Sequence, residues 1–168
     1  MVLTDQAVDN LRVCGFGSGG RLGALTNTQY KPLPLSSALP VIKLVALGQD
    51  HTLALSEDGV VYSWGLNRFS QLGYIVDPPK TGAELIQASP RKVQGPLKKE
   101  TAVGLAACKT ASACWNSDGH LFTWGTNDGQ LGYDSVAHAV QVQPRIVSSI
   151  DFRVVGVALA VRIFFGPL

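Results

Sequence analysis

A short phrase that occurs twice constrains the fold of this chain more than any other feature. The first copy, residues 63–74, is Ser-Trp-Gly-Leu-Asn-Arg-Phe-Ser-Gln-Leu-Gly-Tyr, and the second, residues 123–133, is Thr-Trp-Gly-Thr-Asn-Asp-Gly-Gln-Leu-Gly-Tyr. A weaker copy occupies residues 13–23, and the leading glycines of the three copies stand at positions 15, 65 and 125. A spacing of about 50 to 60 residues is typical of repeat architectures, in which each repeat is one supersecondary unit.

A β-hairpin pattern precedes both strong copies of the phrase. The turn residues are Asp58-Gly59 in one and Asp118-Gly119 in the other, at the same distance before Trp-Gly. Asp tolerates and Gly favours the positive φ that a tight hairpin turn requires. The predicted strand pairs are residues 51–56 with 60–64 and residues 111–116 with 120–124. Because two independent local signals keep one spacing, they indicate a true repeat.

Further strands and variable loops complete each unit. Aliphatic and β-branched segments predict strands at residues 11–14, 41–47, 103–107 and 154–159. Loops are predicted at residues 31–40, which contain three prolines, and at 75–89 and 134–143, which both end at a Pro-Arg pair. About four short strands per unit describe the blade of a β-propeller. The aromatic residues expected between neighbouring blades are Tyr62, Trp64, Phe122 and Trp124.

The composition favours a folded intracellular protein. Of the 168 residues, 46% are apolar and 15% are charged, and the net charge of +2 is too small to indicate nucleic-acid binding. Three cysteines without a Cys-x-x-Cys pair indicate neither a disulfide framework nor a zinc site. Residues 1–10 lack the apolar core of a secretory signal, and no apolar run approaches the roughly 18 residues of a membrane span. We therefore expect the cytoplasm or the nucleus as the location, and no membrane partner.

Two features resemble ligand-binding motifs without the context that such motifs need. Residues 15–20 match the dinucleotide fingerprint Gly-x-Gly-x-x-Gly, but no helix pattern and no acidic residue about 20 positions later accompanies them, which favours a glycine-rich turn. The one basic cluster is thin and is diluted by Glu100, which favours a solvated loop over a nucleic-acid site. Its members are Arg91, Lys92, Lys98 and Lys99.

The histidines and cysteines do not predict a catalytic centre. His51, His120 and His138 are far apart in the sequence, and no orienting partner can be named, so structural or surface roles are favoured. Cys108 and Cys114 lie in strand-like segments, where a free cysteine is commonly a small buried hydrophobe. We expect no catalytic residue, no cofactor and no metal site.

Together these residues resemble the repeat of the regulator of chromosome condensation family. Its unit combines a Trp-Gly-x-Asn phrase, Gln-Leu-Gly, a Pro-x-x-Val strand start, an Ala-Gly-x-x-His-(Ser/Thr) strand and an Asp-Gly turn. The pattern is carried here by Trp64-Gly65, Asn67, Gln71-Leu72-Gly73, Pro90, Val93, Gly48, His51-Thr52 and Asp58-Gly59. The resemblance covers residues 11–160. It implies an all-β fold, a partial β-propeller with about two and a half to three four-stranded blades of a seven-bladed family fold.

The repeats divide the chain and also depart from the family pattern. We expect a polar lead-in (1–10), a first repeat (11–62), a second repeat (63–122) and a third, incomplete repeat (123–168). In later units other residues stand at the positions equivalent to Gly48 and His51. These are Cys108 and Ala111 in the second unit and Ala160 and Ile163 in the third. Fewer than four blades do not close a ring, so we expect a fragment, a truncated gene product or an assembly of several chains.

The resemblance also implies a function. Residues 48–55, 95–100 and 111–115 are similar to fungal relatives of the inhibitor of Bruton tyrosine kinase, large proteins with ankyrin repeats, a propeller and BTB domains. This implies a non-catalytic protein-interaction module of an adaptor or scaffold, which reaches a cullin-type ubiquitin ligase through BTB regions. The alternative is the activity of the founding family member, guanine-nucleotide exchange on the small GTPase Ran, which needs no catalytic triad.

Loop tips on a rigid scaffold are the expected contact sites. The candidate partner-binding residues are Asn67, Arg68, Phe69, Asn127 and Asp128, together with the loop at 75–89. For the two asparagines, turn chemistry alone is the favoured role, since Asn side chains commonly hydrogen-bond their own loop backbone.

Overall fold

The computed structural model describes residues 1–7, 9–24, 27–35, 39–78 and 83–160. These residues form one three-stranded and two four-stranded antiparallel sheets, each a meander of consecutive strands. The first sheet contains β1 (Val2–Leu3), β2 (Leu11–Gly15) and β3 (Gln29–Pro34). The second contains β4 (Ile42–Leu47), β5 (His51–Ser56), β6 (Val61–Leu66) and β7 (Ile86–Lys92). The third contains β8 (Ala102–Ala107), β9 (Ala111–Asn116), β10 (Leu121–Thr126) and β11 (Val140–Ile146).

This architecture confirms the predicted all-β fold of partial β-propeller blades. The strands predicted at 11–14, 41–47 and 103–107, and both hairpins, lie at the predicted places. Gly59 and Gly119 take φ angles of 83° and 88° in the hairpin turns, as the Asp-Gly pattern predicted. Within the described residues, no helix has the length and apolar character of a membrane span.

The strand predicted at residues 154–159 is wrong. Val154 donates its amide proton to the oxygen of Gly119 over 2.9 Å, just as Ala102 donates to the oxygen of Gly59 over 3.0 Å. After Ala102 a ladder follows because β9 lies beside β8, whereas no described residue pairs with 154–159. A strand exists only with a hydrogen-bonded neighbour, so this apolar segment does not form one among the described residues.

The last strand of each sheet lies wholly or partly where a loop was predicted. Residues 31–34, expected in a loop, lie in β3, and the ends of the predicted loops 75–89 and 134–143 lie in β7 and β11. Each of these strands carries a proline three residues after a glutamine, namely Pro32, Pro90 and Pro144, and β3 also ends at Pro34. Each also lies opposite a register shift, between Val13 and Gly15, Ser63 and Gly65, or Thr123 and Gly125. Proline is tolerated there because an edge strand beside a bulge does not need every amide donor.

Two apolar cores lie between the sheets, and the four predicted aromatic residues are in them. Trp64 and Tyr62 lie in the core between the first and second sheets, whose other buried members include Leu11, Val13, Leu22, Leu35 and Ile42. Trp124 and Phe122 lie in the core between the second and third sheets, with Leu53, Leu55, Val61, Val93 and Leu97. Both indoles are fully buried. The prediction that these rings pack between neighbouring blades is confirmed.

Each buried tryptophan also joins its sheet to the preceding one by a hydrogen bond. Trp64 Nε1 donates to the backbone oxygen of Arg21 over 3.1 Å, and Trp124 Nε1 donates to that of Gln71 over 2.9 Å. Arg21 and Gln71 hold the same place in the phrase, directly before Leu-Gly. One residue pair of the repeat therefore links consecutive blades.

A hydroxyl group reinforces each of these links. Thr52 Oγ1 donates to the Arg21 oxygen over 3.0 Å, and Ser112 Oγ donates to the Gln71 oxygen over 2.7 Å. The glycine of Leu-Gly leaves room for the indole, since a Cβ on Gly73 would lie 3.0 Å from Trp124 Nε1 and 2.7 Å from Val93. These contacts fix the loops that follow Trp-Gly relative to the next blade.

Candidate protein-interaction face

Antiparallel meanders place alternate connections at opposite ends of the sheets. The connections β2–β3, β4–β5, β6–β7, β8–β9 and β10–β11 therefore share one end, which we call the upper face. The described residues of the upper face are 16–24, 27–28, 48–50, 67–78, 83–85, 108–110 and 127–139. All five predicted partner-binding residues lie there. The β5–β6, β7–β8 and β9–β10 connections form the opposite end, the lower face.

Asn67 and Asn127 organise the upper-face loops from inside. Both are buried, at 5% and 4% exposure. Asn67 Nδ2 donates to the oxygen of Tyr74 over 3.2 Å, and its Oδ1 accepts from the amide of Leu72 over 3.0 Å. Asn127 repeats the arrangement, with Nδ2 donating to the oxygen of Tyr133 over 3.1 Å. These contacts favour a turn-forming role for both asparagines, with their neighbours left to face solvent.

Those neighbours are Arg68, Phe69 and Asp128. The side chain of Arg68 is 60% exposed and forms an ion pair with Glu84, at the far end of the same loop. Phe69 is half-buried, and its amide donates to Gln71 Oε1 over 2.8 Å. Asp128 is exposed, and its amide donates to Gln130 Oε1 over 2.7 Å. The glutamines of Gln-Leu-Gly thus hold both loop backbones while a cation, an aromatic ring and a carboxylate remain accessible.

A second group on the upper face was not predicted from the sequence. Arg21 Nη2 lies 2.7 Å from Asp50 Oδ1, and its guanidinium carbon lies 5.4 Å from the centre of the Phe16 ring. Phe16 is 63% exposed. A cavity of about 140 Å³ opens beside these residues and reaches Thr52. Alignment of the repeats could have indicated Phe16, because Phe16 follows Gly15 in the first copy of the phrase as Leu66 follows Gly65 in the second.

His51 is a buried packing residue between the second and third sheets. Its exposure is 1%, and Nε2 lies 2.8 Å from Ser112 Oγ. Because Ser112 donates its own proton to the Gln71 oxygen, its Oγ accepts from Nε2–H, and Nδ1 has no partner among the described residues. Burial lowers the pKa of His51 to about 3. A neutral, enclosed imidazole agrees with the predicted structural role.

The other candidate catalytic groups stay apart. His120 Nδ1 lies 3.4 Å from Asn116 Nδ2, and the His138 ring meets Tyr133 edge-on with 5.9 Å between centroids. Cys108 and Cys114 are buried, and burial together with the charge of Glu100 raises the pKa of Cys114. The structure brings no three His, Cys, Asp or Glu residues together as a metal site within its described ranges.

The glycine-rich segment at residues 15–20 forms a turn, as predicted. A short 3-10 turn covers Ser18–Gly20, and Gly19 inside it has a positive φ of 69°. A phosphate site of the dinucleotide type needs the amino end of a longer helix, which this segment does not supply.

Comparisons with known proteins match the repeat and the fold. Two family models, both described as Regulator of chromosome condensation (RCC1) repeat, match residues 42–71 and 58–115. BTB/POZ domain-containing protein 1 of Schizosaccharomyces pombe is 36% identical over 146 residues, which are 87% of this chain and 11% of that protein. The human inhibitor of Bruton tyrosine kinase is 36% identical over 151 residues, with the same two coverages. The chain thus spans about a tenth of the length of these relatives.

A solved structure shows the same architecture. The crystal structure of Prp20p from Saccharomyces cerevisiae superimposes with a TM-score of 0.68 at 31% identity, over 90% of this chain and 36% of that one. The repeat phrases, the stacked blades with their buried tryptophans and these similarities agree with one another. The chain belongs to the family of regulator of chromosome condensation repeat proteins.

Proposed function

We propose that this chain is a non-catalytic protein-interaction module of a larger adaptor or scaffold, and that it binds its client through the upper face. The observation that supports this most is the arrangement of Arg68, Phe69 and Asp128. These accessible side chains extend from loops whose backbones are held by buried asparagine and glutamine side chains. Pre-organised loops lose little conformational entropy on binding, which favours recognition over chemistry.

The groups that a hydrolytic or redox enzyme would use support the same choice. His51 is neutral and enclosed, and the thiol of Cys114 has a raised pKa. A general base needs access to substrate and a pKa near the working pH, and a nucleophilic cysteine needs a lowered pKa. We therefore assign no catalytic residue, cofactor or metal to the module.

The similarity to BTB proteins suggests what the parent protein does. We propose that it scaffolds ubiquitin-ligase substrates inside the cell, in the cytoplasm or nucleus, with BTB regions outside this chain recruiting a cullin. In that arrangement this module supplies the contact to the client. The similarity to the relatives named above, each several times longer than this chain, supports this role.

A pull-down with the full-length parent tests the assignment. The parent is expected to recover both a cullin and a client, and the double variant Arg68→Ala, Phe69→Ala is expected to lose the client while keeping the cullin. A matched control replaces an exposed cation and an exposed ring away from the upper-face loops, Lys31→Ala with Phe152→Ala. Unchanged client recovery with the Arg68 and Phe69 variant would remove these loops from the proposal.

Guanine-nucleotide exchange on a Ran-type GTPase is the second candidate, and the similarity to Prp20p favours it. The crystal structure of that protein was described together with its binding to Gsp1p and histones. Release of labelled GDP from Ran, followed with the chain at micromolar concentration, separates the two functions. Acceleration that is lost in the Arg68→Ala, Phe69→Ala variant would favour exchange, whereas an unchanged release rate would favour the adaptor.

A further inference from the structure

The lower face also has a cavity, away from the upper-face loops. A cavity of about 590 Å³ opens where β7 continues towards the third sheet. Its apolar lining comes from Val61, Val93 and Leu97, and its cationic residues are Arg91, Lys92 and Lys98. This volume falls within the range of about 300–1,000 Å³ that is usual for ligand pockets. The thin basic cluster of the sequence thus borders an apolar recess.

The 3-10 turn Gly95–Lys99 builds one wall of this cavity. Leu97 in its middle is buried at 8% exposure and belongs to the core, whereas Lys98 and Lys99 are exposed. A Cβ on Gly95 would lie 3.0 Å from Gln143 Oε1 in β11, so the turn is seated against the third sheet. The wall is therefore fixed by packing on one side and presents ammonium groups on the other.

Aromatic rings hold two of the cations without cancelling their charge. Lys92 Nζ lies 6.0 Å from the centre of the Tyr62 ring, whereas the Arg91 guanidinium lies 4.5 Å from that of Tyr74 and donates to the backbone oxygen of Ile75 over 3.4 Å, both in an upper-face loop. Such contacts orient a cation but leave its net charge available. Among the described residues, the two salt bridges are both on the upper face and include none of these cations.

The acid beside the cavity is already engaged. Glu100 Oε2 accepts a hydrogen bond from Asn116 Nδ2 over 2.6 Å, which draws this carboxylate towards β9. Lys92 and Lys98 outnumber this one carboxylate in the cavity lining, so the site is positive without a contribution from Arg91. A ligand with carboxylates is complementary to it.

The repeat itself provides a comparison within the chain. Lys92 pairs with Tyr62, and the residue at the same place in the third sheet, paired with Phe122, is Ile146. Val93 and Val147 keep the apolar position in both sheets and are both buried. The buried valine and the preceding arginine position are thus shared by both sheets, while Lys92 is particular to this junction.

We propose that this cavity binds an acidic peptide segment of a partner protein. A bulky apolar side chain of the peptide packs against Val61, Val93 and Leu97, and its flanking carboxylates lie near Lys92 and Lys98. An apolar recess suits a leucine or phenylalanine side chain better than a phosphodiester backbone, and nucleic-acid affinity rests on many more phosphate contacts. The proposal goes beyond the client contact of the upper face, because it uses residues on the opposite end of the sheets.

Fluorescence anisotropy with a labelled peptide Gly-Glu-Asp-Leu-Glu-Asp-Gly and the 168-residue chain tests the site. The double variant Lys92→Glu, Lys98→Glu is expected to weaken binding by at least about tenfold, since two attractive charges become repulsive. The charge-matched control Lys31→Glu, Lys109→Glu is expected to bind as the unchanged chain does. Binding is also expected to weaken from about 0.1 M to about 1 M salt, where the Debye length falls from about 10 Å to about 3 Å.

Three further probes make the result decisive. A peptide with Gln and Asn in place of Glu and Asp, and a second with Ser in place of Leu, are each expected to bind much more weakly. Equal loss in the control variant, or no loss in the Lys92 and Lys98 variant, overturns the proposal. Tighter binding of a single-stranded deoxythymidine oligomer, lost in the same variant, overturns it in favour of nucleic acid. If the double variant unfolds, Lys98→Glu alone on the exposed turn gives the same comparison with a smaller expected loss.

Discussion

The two junctions between sheets use the same link in different surroundings. At the first junction, Trp64 and Thr52 donate to the Arg21 oxygen, and the Arg21 side chain forms a partly exposed ion pair with Asp50. At the second, Trp124 and Ser112 donate to the Gln71 oxygen, and the Gln71 side chain is fully buried.

The second junction also contains a buried histidine, which the first lacks among its described residues. His51 extends the hydrogen-bond chain through Ser112 to the Gln71 oxygen. The indole-to-carbonyl bond is therefore the common element of blade stacking, and the polar groups around it vary. The difference implies that the stability of the second junction depends more on pH, because of His51, and that of the first depends more on salt, because of the Arg21–Asp50 ion pair.

Loss of an indole is expected to have the largest effect on either junction. Trp124→Ala or Trp64→Ala should lower the free energy of unfolding by about 3–5 kcal/mol, because each removes a fully buried ring. Urea unfolding followed by circular dichroism measures this loss. Equal losses would mean that the common link dominates, and a much smaller loss for one tryptophan would show that its junction is held by other contacts.

Acid is expected to weaken the second junction selectively. The pKa of His51 is about 3 in the folded chain and about 6.5 when unfolded, so between these values only the unfolded chain takes up the proton. The stabilising contribution is complete above about pH 6.5 and is lost as the pH falls towards 3, by about 2 kcal/mol at pH 5. Comparing urea unfolding of the unchanged chain and of His51→Asn from pH 7 to pH 4 isolates this contribution from that of the carboxylates. A parallel pH dependence in both proteins would contradict it.

The hydroxyl groups distinguish the junctions at a smaller scale. Ser112→Ala should cost about 1–2 kcal/mol because it leaves both His51 Nε2–H and part of the Gln71 oxygen without a partner. Thr52→Val should cost about 0.5–1 kcal/mol, since only one hydrogen bond to the Arg21 oxygen is lost. Chemical denaturation of the two variants tests the order, and a greater cost for Thr52→Val would reverse the comparison.

The smallest effects are expected from the upper-face ion pairs. Arg68→Ala should change the free energy of unfolding by less than about 1 kcal/mol, because Arg68 and Glu84 are both largely exposed. Thermal unfolding at low and high salt checks this value. A small effect on stability is also required for the pull-down test. Loss of client recovery in the variant can then be attributed to a lost contact and not to unfolding.

The sequence predicted the parts of the fold that depend on local spacing. The Trp-Gly and Asp-Gly pairs located the hairpins, and the period located the blades, because both signals arise within a few residues. The turn-forming role favoured for Asn67 and Asn127 agrees with their hydrogen bonds to the backbone of their own loops, whereas their burial was not predicted. Residues 1–10, predicted as a polar lead-in, contain β1, which pairs with β2. The predicted repeat boundaries at 63 and 123 fall inside β6 and β10. The position at which one repeat ends and the next begins stays a prediction.

What the sequence did not predict depends on partners distant along the chain. Residues 154–159 have the composition of a strand, but a ladder also needs a neighbour. The last strand of each sheet was not predicted because it contains Pro32, Pro90 or Pro144. Proline indicates a loop unless the strand is known to lie at the edge of a sheet. A recurring Gln-x-x-Pro spacing at Gln29, Gln87 and Gln141 would have marked all three. The lower-face cavity is lined by residues of β6, of β7 and of the Gly95–Lys99 turn, and spacing along the chain does not reveal that these segments meet.

The prolines of the outer strands have a consequence for how this protein associates. Each proline lacks the amide proton that a strand adding to the edge of its sheet would need as a donor. The bulge opposite the proline also distorts the hydrogen-bond ladder that an added strand would have to match. Fibril growth by strand addition is thus disfavoured at the sheet edges formed by β3, β7 and β11. Exposed apolar side chains such as Val155, 85% exposed beyond the third sheet, leave face-to-face stacking as the open route, which is the direction in which blades add to a propeller.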